Sequence, residues 1–165
     1  MDSSIIIGNV CSLLAMITDS IGSSRKTTRG MLLMQGLGSV IWAVGSIILK
    51  GYSAAVQNLV GLLRNLAAAY KIQQKWLEYT LVLLGVVLGV VFNNRSWLGL
   101  LPVIGNLVYS VAMFRVQDNE RALKVAFLVC VGSYAIFNAV IYNFVGLIAN
   151  IVIMATTIIF LAKKN

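Results

Sequence analysis

The sequence predicts an all-α integral membrane protein in which seven transmembrane helices form two parallel three-helix repeats joined by a linker helix. Three observations support this fold class. Hydrophobic residues make up 59% of the 165 residues and charged residues only 11%, which does not describe a soluble surface. The basic residues fall in short clusters between apolar runs, and an eight-residue motif occurs once in each half of the chain. We therefore expect one domain whose largest partner is the lipid bilayer.

The apolar runs between charge clusters are long enough to cross a bilayer, whose core needs about 20 helical residues. They place the first five spans at residues 5–22, 30–49, 53–72, 76–92 and 98–117. After Arg121, Lys124 is the single charge as far as residue 162, and residues 121–162 as one helix would measure about 63 Å at about 1.5 Å per residue. No bilayer is that thick, so this stretch must break. Its most polar place, residues 138–143, predicts a sixth and a seventh span.

The placement of Lys and Arg predicts the orientation of these spans. Ten of them follow the odd-numbered spans, namely Arg25, Lys26, Arg29, Lys71, Lys75, Arg115, Arg121, Lys124, Lys163 and Lys164. The opposite ends hold only Lys50 and Arg95. Because basic loops stay in the cytoplasm, we expect the N-terminus outside and the C-terminus inside. The net charge of +8 is thus topological, and we do not expect the protein to bind nucleic acid.

The repeated motif reads N-L-V-G-L-L-R-N at residues 58–65 and N-F-V-G-L-I-A-N at residues 143–150. Seven residues are almost two helical turns, so the two asparagines and the glycine of each copy share one stripe. The stripes are Asn58, Gly61 and Asn65, and Asn143, Gly146 and Asn150.

A weaker match pairs Ile7-Gly8-Asn9 with Ile104-Gly105-Asn106. The sequence therefore predicts repeats over residues 5–72 and 98–162, with residues 76–93 as the linker helix. The glycines Gly61, Gly146, Gly8 and Gly105 are candidates for close helix packing or for hinges.

The run from Gln35 to Trp42, with residues 50–58 and 63–65, resembles the YgjV-type bacterial inner membrane proteins. This resemblance covers most of the chain, is strongest over residues 30–72, and implies a location in the bacterial inner membrane.

The order of three helices, a linker and three helices is similar to that of the SWEET, SemiSWEET and PnuC transporters and the KDEL receptor. So are the Gly-Asn pairs that open spans one and five. The resemblance implies a substrate site near the midplane, between the halves. SWEET-type helices end in a proline-glutamine pair, but the corresponding ends here read Thr18-Asp19 and Arg115-Val116. A proline hinge is therefore not expected.

If the halves pack as this resemblance implies, Asn58, Asn65, Asn143 and Asn150 face one another and line the substrate site. Amides both donate and accept hydrogen bonds, which suits a neutral, sugar-like or vitamin-like solute. The alternative is that these amides bond across helices and only hold the bundle together. An aromatic face beside polar groups would bind a ring. Further substrate candidates are Gln35, Ser39, Trp42, Tyr109 and Tyr134, although core packing explains each of them equally well.

Arg64 lies well inside the third span, where burying a cation in the membrane costs free energy. A charged residue at such a place suggests a functional role. Asp19 lies at a similar depth in the first span. Three interpretations remain open for Arg64: an ion pair with Asp19, a side chain that reaches the cytoplasmic interface, or a site for a substrate anion or for proton coupling.

Gly85 and Gly89 form a small-xxx-small pattern that could seat a second protomer. The chain has no histidine and two cysteines, Cys11 and Cys130, in apolar segments. We therefore expect no enzyme activity, metal or cofactor. The expected function is facilitated transport of a small polar solute by alternating access. The alternatives are a receptor of the same fold that does not transport, or a structural membrane subunit.

Overall fold

The protein is all-helical, as seen in a computed structural model that describes residues 2–72, 74–115 and 119–163. The α-helices of this part are α1 (Ser3–Ser23), α2 (Thr28–Ile48), α3 (Tyr52–Ala69), α4 (Lys75–Val91), α5 (Leu101–Arg115), α6 (Glu120–Val140) and α7 (Phe144–Lys163). A short 3-10 helix, Ser96–Leu100, leads into α5. These ranges contain no strand, so the all-α class is confirmed. The expected end of the fifth span at Gln117, and the basic Lys164, lie outside the described residues.

The long charge-poor stretch breaks where its polarity predicted. α6 ends at Val140, and α7 begins at Phe144. Tyr142 takes a left-handed φ of 59°. Asn143 then caps α7, since its Oδ1 accepts a hydrogen bond from the backbone N–H of Gly146 at 3.0 Å. Such a cap supplies an acceptor that the first N–H groups of a helix otherwise lack. After this turn, α7 folds back beside α6.

The turn between α2 and α3 has the same form as the turn before α7. Lys50 takes a φ of 56°, and Gly51 then occupies the N-cap position of α3. Matching the two turns aligns Gly51 with Asn143 and Asn58 with Asn150. The two copies of the asparagine motif thus begin about two helical turns apart along their helices.

Helices that follow one another in the chain pack side by side. α2 lies between α1 and α3, and α6 lies between α5 and α7. Two further seams, α1 against α7 and α3 against α5, close these six helices into a ring. α4 lies against α3 and α5, outside the ring.

Three helical segments are long and apolar enough to cross a membrane: Ser3–Gly22, Arg29–Ile48 and Arg121–Val140. Ser96–Ala112 and Phe144–Ile159 are apolar but shorter. Large apolar side chains are exposed on every α-helix, which forms a surface suited to lipid rather than to water. α3 is the least apolar of these helices. Its polar residues lie on more than one face.

Side chains from several helices close one end of the bundle, where α2 meets α3 and α6 meets α7. An apolar cluster fills it: Leu49, Ala54, Phe137 and Ile141. The connection after α4 folds over this end. Asn94 Nδ2 donates to the carbonyl of Lys50 at 2.8 Å, and Arg95 Nη2 donates to the carbonyl of Leu49 at 3.4 Å. We call this the closed end and the opposite one the open end.

Asn9 joins the first helix to the last at the closed end. Its Nδ2 donates to the carbonyl of Tyr142 at 2.9 Å, and its Oδ1 accepts from the backbone N–H of Val145 at 2.9 Å. Because Asn9 lies near the start of α1 and Val145 near the start of α7, the two helices run in the same direction.

Gly85 and Gly89 seat α4 against the ring. A Cβ on Gly85 would lie 3.3 Å from Gln57 Oε1, and one on Gly89 would lie 2.6 Å from both Gln57 Nε2 and Val103 Cγ2. The small-residue face proposed for a second protomer is therefore occupied within the chain. This corrects the expected dimer contact, because α3 and α5 already cover the two glycines.

We predict that Gly105→Ala destabilises the protein by about 1 to 3 kcal/mol, the usual cost of overpacking. A Cβ at Gly105 would lie 3.0 Å from the Cα of Cys130 and 3.1 Å from its carbonyl oxygen, and backbone atoms cannot swing away. Unfolding of the detergent-solubilised protein, followed by circular dichroism, measures the effect. Gly132→Ala is the control, since its nearest neighbour is Met154 Cε at 3.7 Å. Equal stability of the two variants would contradict this packing.

Candidate solute cavity

A cavity of about 240 Å³ lies between α3, α4 and α5. Gln57 and Arg64 of α3 line it and lie seven residues apart, so they share one side of the helix, and Lys71 lines it just beyond the end of α3. α4 contributes Glu78 to the wall, and α5 contributes Asn106. The volume falls below the roughly 300 to 1,000 Å³ that is typical of drug-sized sites. The cavity therefore suits a small solute.

Two buried amides form the floor of this cavity. Asn106 Nδ2 donates to Gln57 Oε1 at 2.8 Å, and Gln57 Nε2 donates to the carbonyl of Gly85 at 2.7 Å. Gln57 is 3% exposed and Asn106 9% exposed. We call Gln57, Asn106 and the Gly85 carbonyl the amide cluster. It links α3, α4 and α5 through side chains that would be costly to bury without partners.

The cavity runs from the amide cluster to the open end of the bundle. Its wall there includes Lys71 and Ile72, which are exposed, and Glu78, which is half-buried. Lys71 takes a left-handed φ of 57° just after the end of α3, so the chain turns away at this point. The mouth therefore lies beside the turn between α3 and α4, on the side opposite the closed end.

Arg64 lies in the wall between the floor and the mouth. It is half-buried and forms no hydrogen bond or ion pair with any residue that the structure describes. Its charge lies close enough to act on the side chains of Tyr109, Cys130 and Tyr134. Arg64 thus acts on side chains of α5 and α6 and also lines the cavity between α3, α4 and α5.

The ion pair between Arg64 and Asp19, one of the three open interpretations, is not formed in the described part of the chain. Asp19 Oδ2 accepts a hydrogen bond from Trp42 Nε1 at 2.9 Å, and a Cβ added to Gly38 would overlap its carboxylate. Asp19 is therefore held against α2, whereas Arg64 faces α4 and α5. The indole N–H of Trp42 is engaged by the same contact.

None of the four motif asparagines lines this cavity. Asn143 is 1% exposed, caps α7 and donates from Nδ2 to Asn138 Oδ1 at 3.1 Å. Asn58, Asn65 and Asn150 are half-buried and form no hydrogen bond with a described residue. On α3 the stripe lies about 100° from the cavity, because Asn58 directly follows Gln57. A role for these amides in binding substrate stays a prediction.

The other sequence candidates also lie outside the cavity wall. Ser39 Oγ donates to the carbonyl of Gln35 in its own helix at 2.8 Å. The ring of Tyr109 packs on Phe127, with centroids 5.4 Å apart. Tyr134 packs against the apolar cluster of the closed end.

The candidate glycines are close-packing positions. Added Cβ atoms would meet Leu49 at Gly8, and Asn143 at Gly146. Gly61 has more room, since its Cβ would lie 3.8 Å from Ser39 Oγ.

Sequence reasoning missed most of the residues that the cavity brings together: Gln57, Lys71, Glu78, Asn106 and Ser110. One signal could have found part of the set. Gln57, Arg64 and Lys71 form a seven-residue spacing that lies beside the asparagine stripe and includes the intramembrane cation. Within the ranges that the structure describes, no three His, Cys, Asp or Glu side chains group as metal ligands. The cavity instead offers amides, a hydroxyl and charged groups, which bind polar solutes through hydrogen bonds.

These features define an all-helical membrane protein with a cavity whose mainly apolar wall carries amide and charged groups. A family model matches residues 6–164, nearly the whole chain, and the chain belongs to that family, the Imp-YgjV bacterial inner membrane proteins. No curated protein and no solved structure matches the chain.

We predict that Asn106→Ala lowers the stability of the protein by about 0.6 to 2 kcal/mol, the range for interhelical hydrogen bonds in membranes. The substitution would leave Gln57 Oε1 without its donor. Asn150→Ala is the matched control, because the side chain of Asn150 has no hydrogen bond to lose within the described residues. Unfolding in detergent by a denaturant titration compares the two. An equal loss for both variants would show that the amide cluster adds nothing specific.

Proposed function

We propose that the protein is a transporter that carries a small polar solute across the bacterial inner membrane through the cavity between α3, α4 and α5. One observation carries the proposal: a cavity whose mainly aliphatic wall also holds two amides and Arg64 lies between helices of a bundle whose outer surface is apolar. Polar and charged groups inside a membrane protein are costly and usually mark a solute or ion pathway. Here they are gathered around one space.

The proposed mechanism is alternating access between two three-helix units, α1 to α3 and α5 to α7, with α4 as the linker. The contacts support this arrangement. A two-fold axis relating the units would exchange the seam of α1 with α7 for the seam of α5 with α3, and both seams are present. In this proposal all seven helices span the bilayer, and rocking of one unit against the other moves the opening from one side to the other.

The proposed orientation places the open end in the cytoplasm. The basic residues near that end include Arg25, Lys26, Arg29, Lys71 and Lys75, which the positive-inside rule assigns to the cytoplasmic side. The N-terminus then lies outside, the C-terminus inside, and the arrangement described above is the inward-facing state. Opening to the outside would require Asn94 and Arg95 to release the carbonyls of Lys50 and Leu49.

We predict that filling the cavity stops transport. Proteoliposomes containing the wild type should show saturable flux of at least one member of a panel of sugars, organic acids and amino-acid derivatives. Ala67→Phe places a ring into the cavity wall and should remove most of that flux. Leu83→Phe is the control, since Leu83 is 63% exposed on the outer face of α4. Binding without flux would favour a receptor, and neither binding nor flux would favour a structural subunit.

We predict that locking the closed end arrests transport. Asn94 reaches the backbone of Lys50, so Lys50→Cys and Asn94→Cys can be bridged by a short thiol-specific cross-linker in a chain lacking Cys11 and Cys130. Cross-linking should abolish flux, and a reducing agent should restore it. The single variant Asn94→Cys, treated in the same way, is the control. Unchanged flux in a fully cross-linked sample would contradict alternating access at this end.

A further inference from the structure

We infer that the solute is a small organic anion whose carboxylate is bound by Arg64. The inference rests on the proposed transport function and names its substrate class. A guanidinium inside a membrane protein is normally paired with a carboxylate or with backbone carbonyls. Arg64 has neither among the described residues, although it lines a cavity large enough for a solute.

Among the side chains that the structure describes, neither Asp19 nor Glu78 neutralises Arg64. Asp19 is engaged with Trp42 through the 2.9 Å hydrogen bond on the α2 side. Glu78 lines the same cavity, but it lies at the mouth and forms no ion pair with Arg64. Lys71 stands at the mouth with it, so the charges of these two side chains offset each other. The described wall of the cavity therefore keeps one positive charge at depth, which suits an anion of single charge.

The remaining polar groups fit the neutral part of such a solute. Asn106 Oδ1 accepts no hydrogen bond from a described residue, and Ser110 lies one helical turn further along α5, also in the cavity wall. Gln57 is seven residues from Arg64, a rise of about 10 Å along α3 at about 1.5 Å per residue. A short carboxylic acid with a hydroxyl group at its far end could contact both Arg64 and the floor.

A single guanidinium favours carboxylate over phosphate. A carboxylate matches the planar, two-pronged donor set of one arginine, whereas phosphate carries more charge and more acceptor oxygens to satisfy. The aliphatic lining also suits a carbon chain, since Val60, Leu81, Val103 and Leu107 supply much of the wall.

Dissociation constants for the detergent-solubilised full chain test the inference, with lactate, 4-hydroxybutyrate and gluconate each compared with its primary amide. At least one carboxylate should bind about 10- to 100-fold more tightly than its amide, the range for a hydrogen bond to a charged group. Arg64→Gln should remove this preference, and Arg64→Lys should retain part of it. Lys75→Gln is the control, since Lys75 lies outside the cavity wall and should keep the full preference.

Three results would overturn the inference: no carboxylate binds the wild type, the preference survives in Arg64→Gln, or inorganic phosphate alone binds. If Arg64→Gln fails to fold, the comparison of carboxylate with amide in the wild type and in Arg64→Lys still decides whether Arg64 binds the carboxylate.

Flux in proteoliposomes separates this inference from the proposed function. Carboxylate binding without flux would keep the anion site and reject the transporter. Flux of the amides that is equal in the wild type and in Arg64→Gln would keep the transporter and reject the anion site.

Discussion

The hydrogen bond between Gln57 and Asn106 is the constraint on which the packing of α3 against α5 depends. Lipid supplies no hydrophobic driving force between helices, so close packing and hydrogen bonds must hold the seams. Gln57 binds Asn106 on α5 and the Gly85 carbonyl on α4 at once. The missing side chains at Gly85 and, above all, at Gly89 let α4 approach closely enough for this contact. The relative positions of α3, α4 and α5 follow from one buried amide.

The same contact determines where Arg64 points. Because Gln57 must face α4 and α5, Arg64, seven residues later, lies on the same side of α3. The cavity begins beside the amide cluster, where the three helices are joined. A contact that stabilises the bundle thus also positions a cation that no described residue neutralises.

The helices could be predicted from the sequence because apolar runs and charge clusters are properties of neighbouring residues. The break after Val140 was predictable for the same reason, since a charge-free stretch cannot exceed the thickness of the bilayer. The cavity could not be predicted in this way. Its position depends on which face of α3 meets α4, and α3 carries two polar faces: the asparagine stripe, and the face of Gln57 and Arg64. The repeated motif favoured the asparagine stripe as the binding face. The packing of Gly85 and Gly89 instead turns the face of Gln57 and Arg64 towards α4.

The two copies of the motif also show that identical residues at matching motif positions need not have similar structural roles. In α7 the first asparagine of the motif caps the helix, whereas Asn58 lies inside α3 and Gly51 takes the N-cap position. A helix start fixes the register of everything after it, and a sequence match alone does not reveal where the helix starts.

The contacts of Asn9 have a consequence for biogenesis. Its partners, the carbonyl of Tyr142 and the N–H of Val145, are made more than a hundred residues later. The amide of the first helix must therefore enter the membrane before the groups that complete its bonding have been synthesised. The ring of helices cannot close until α7 has been synthesised. Until then Asn9 of α1 lacks the partners that it contacts in the folded protein.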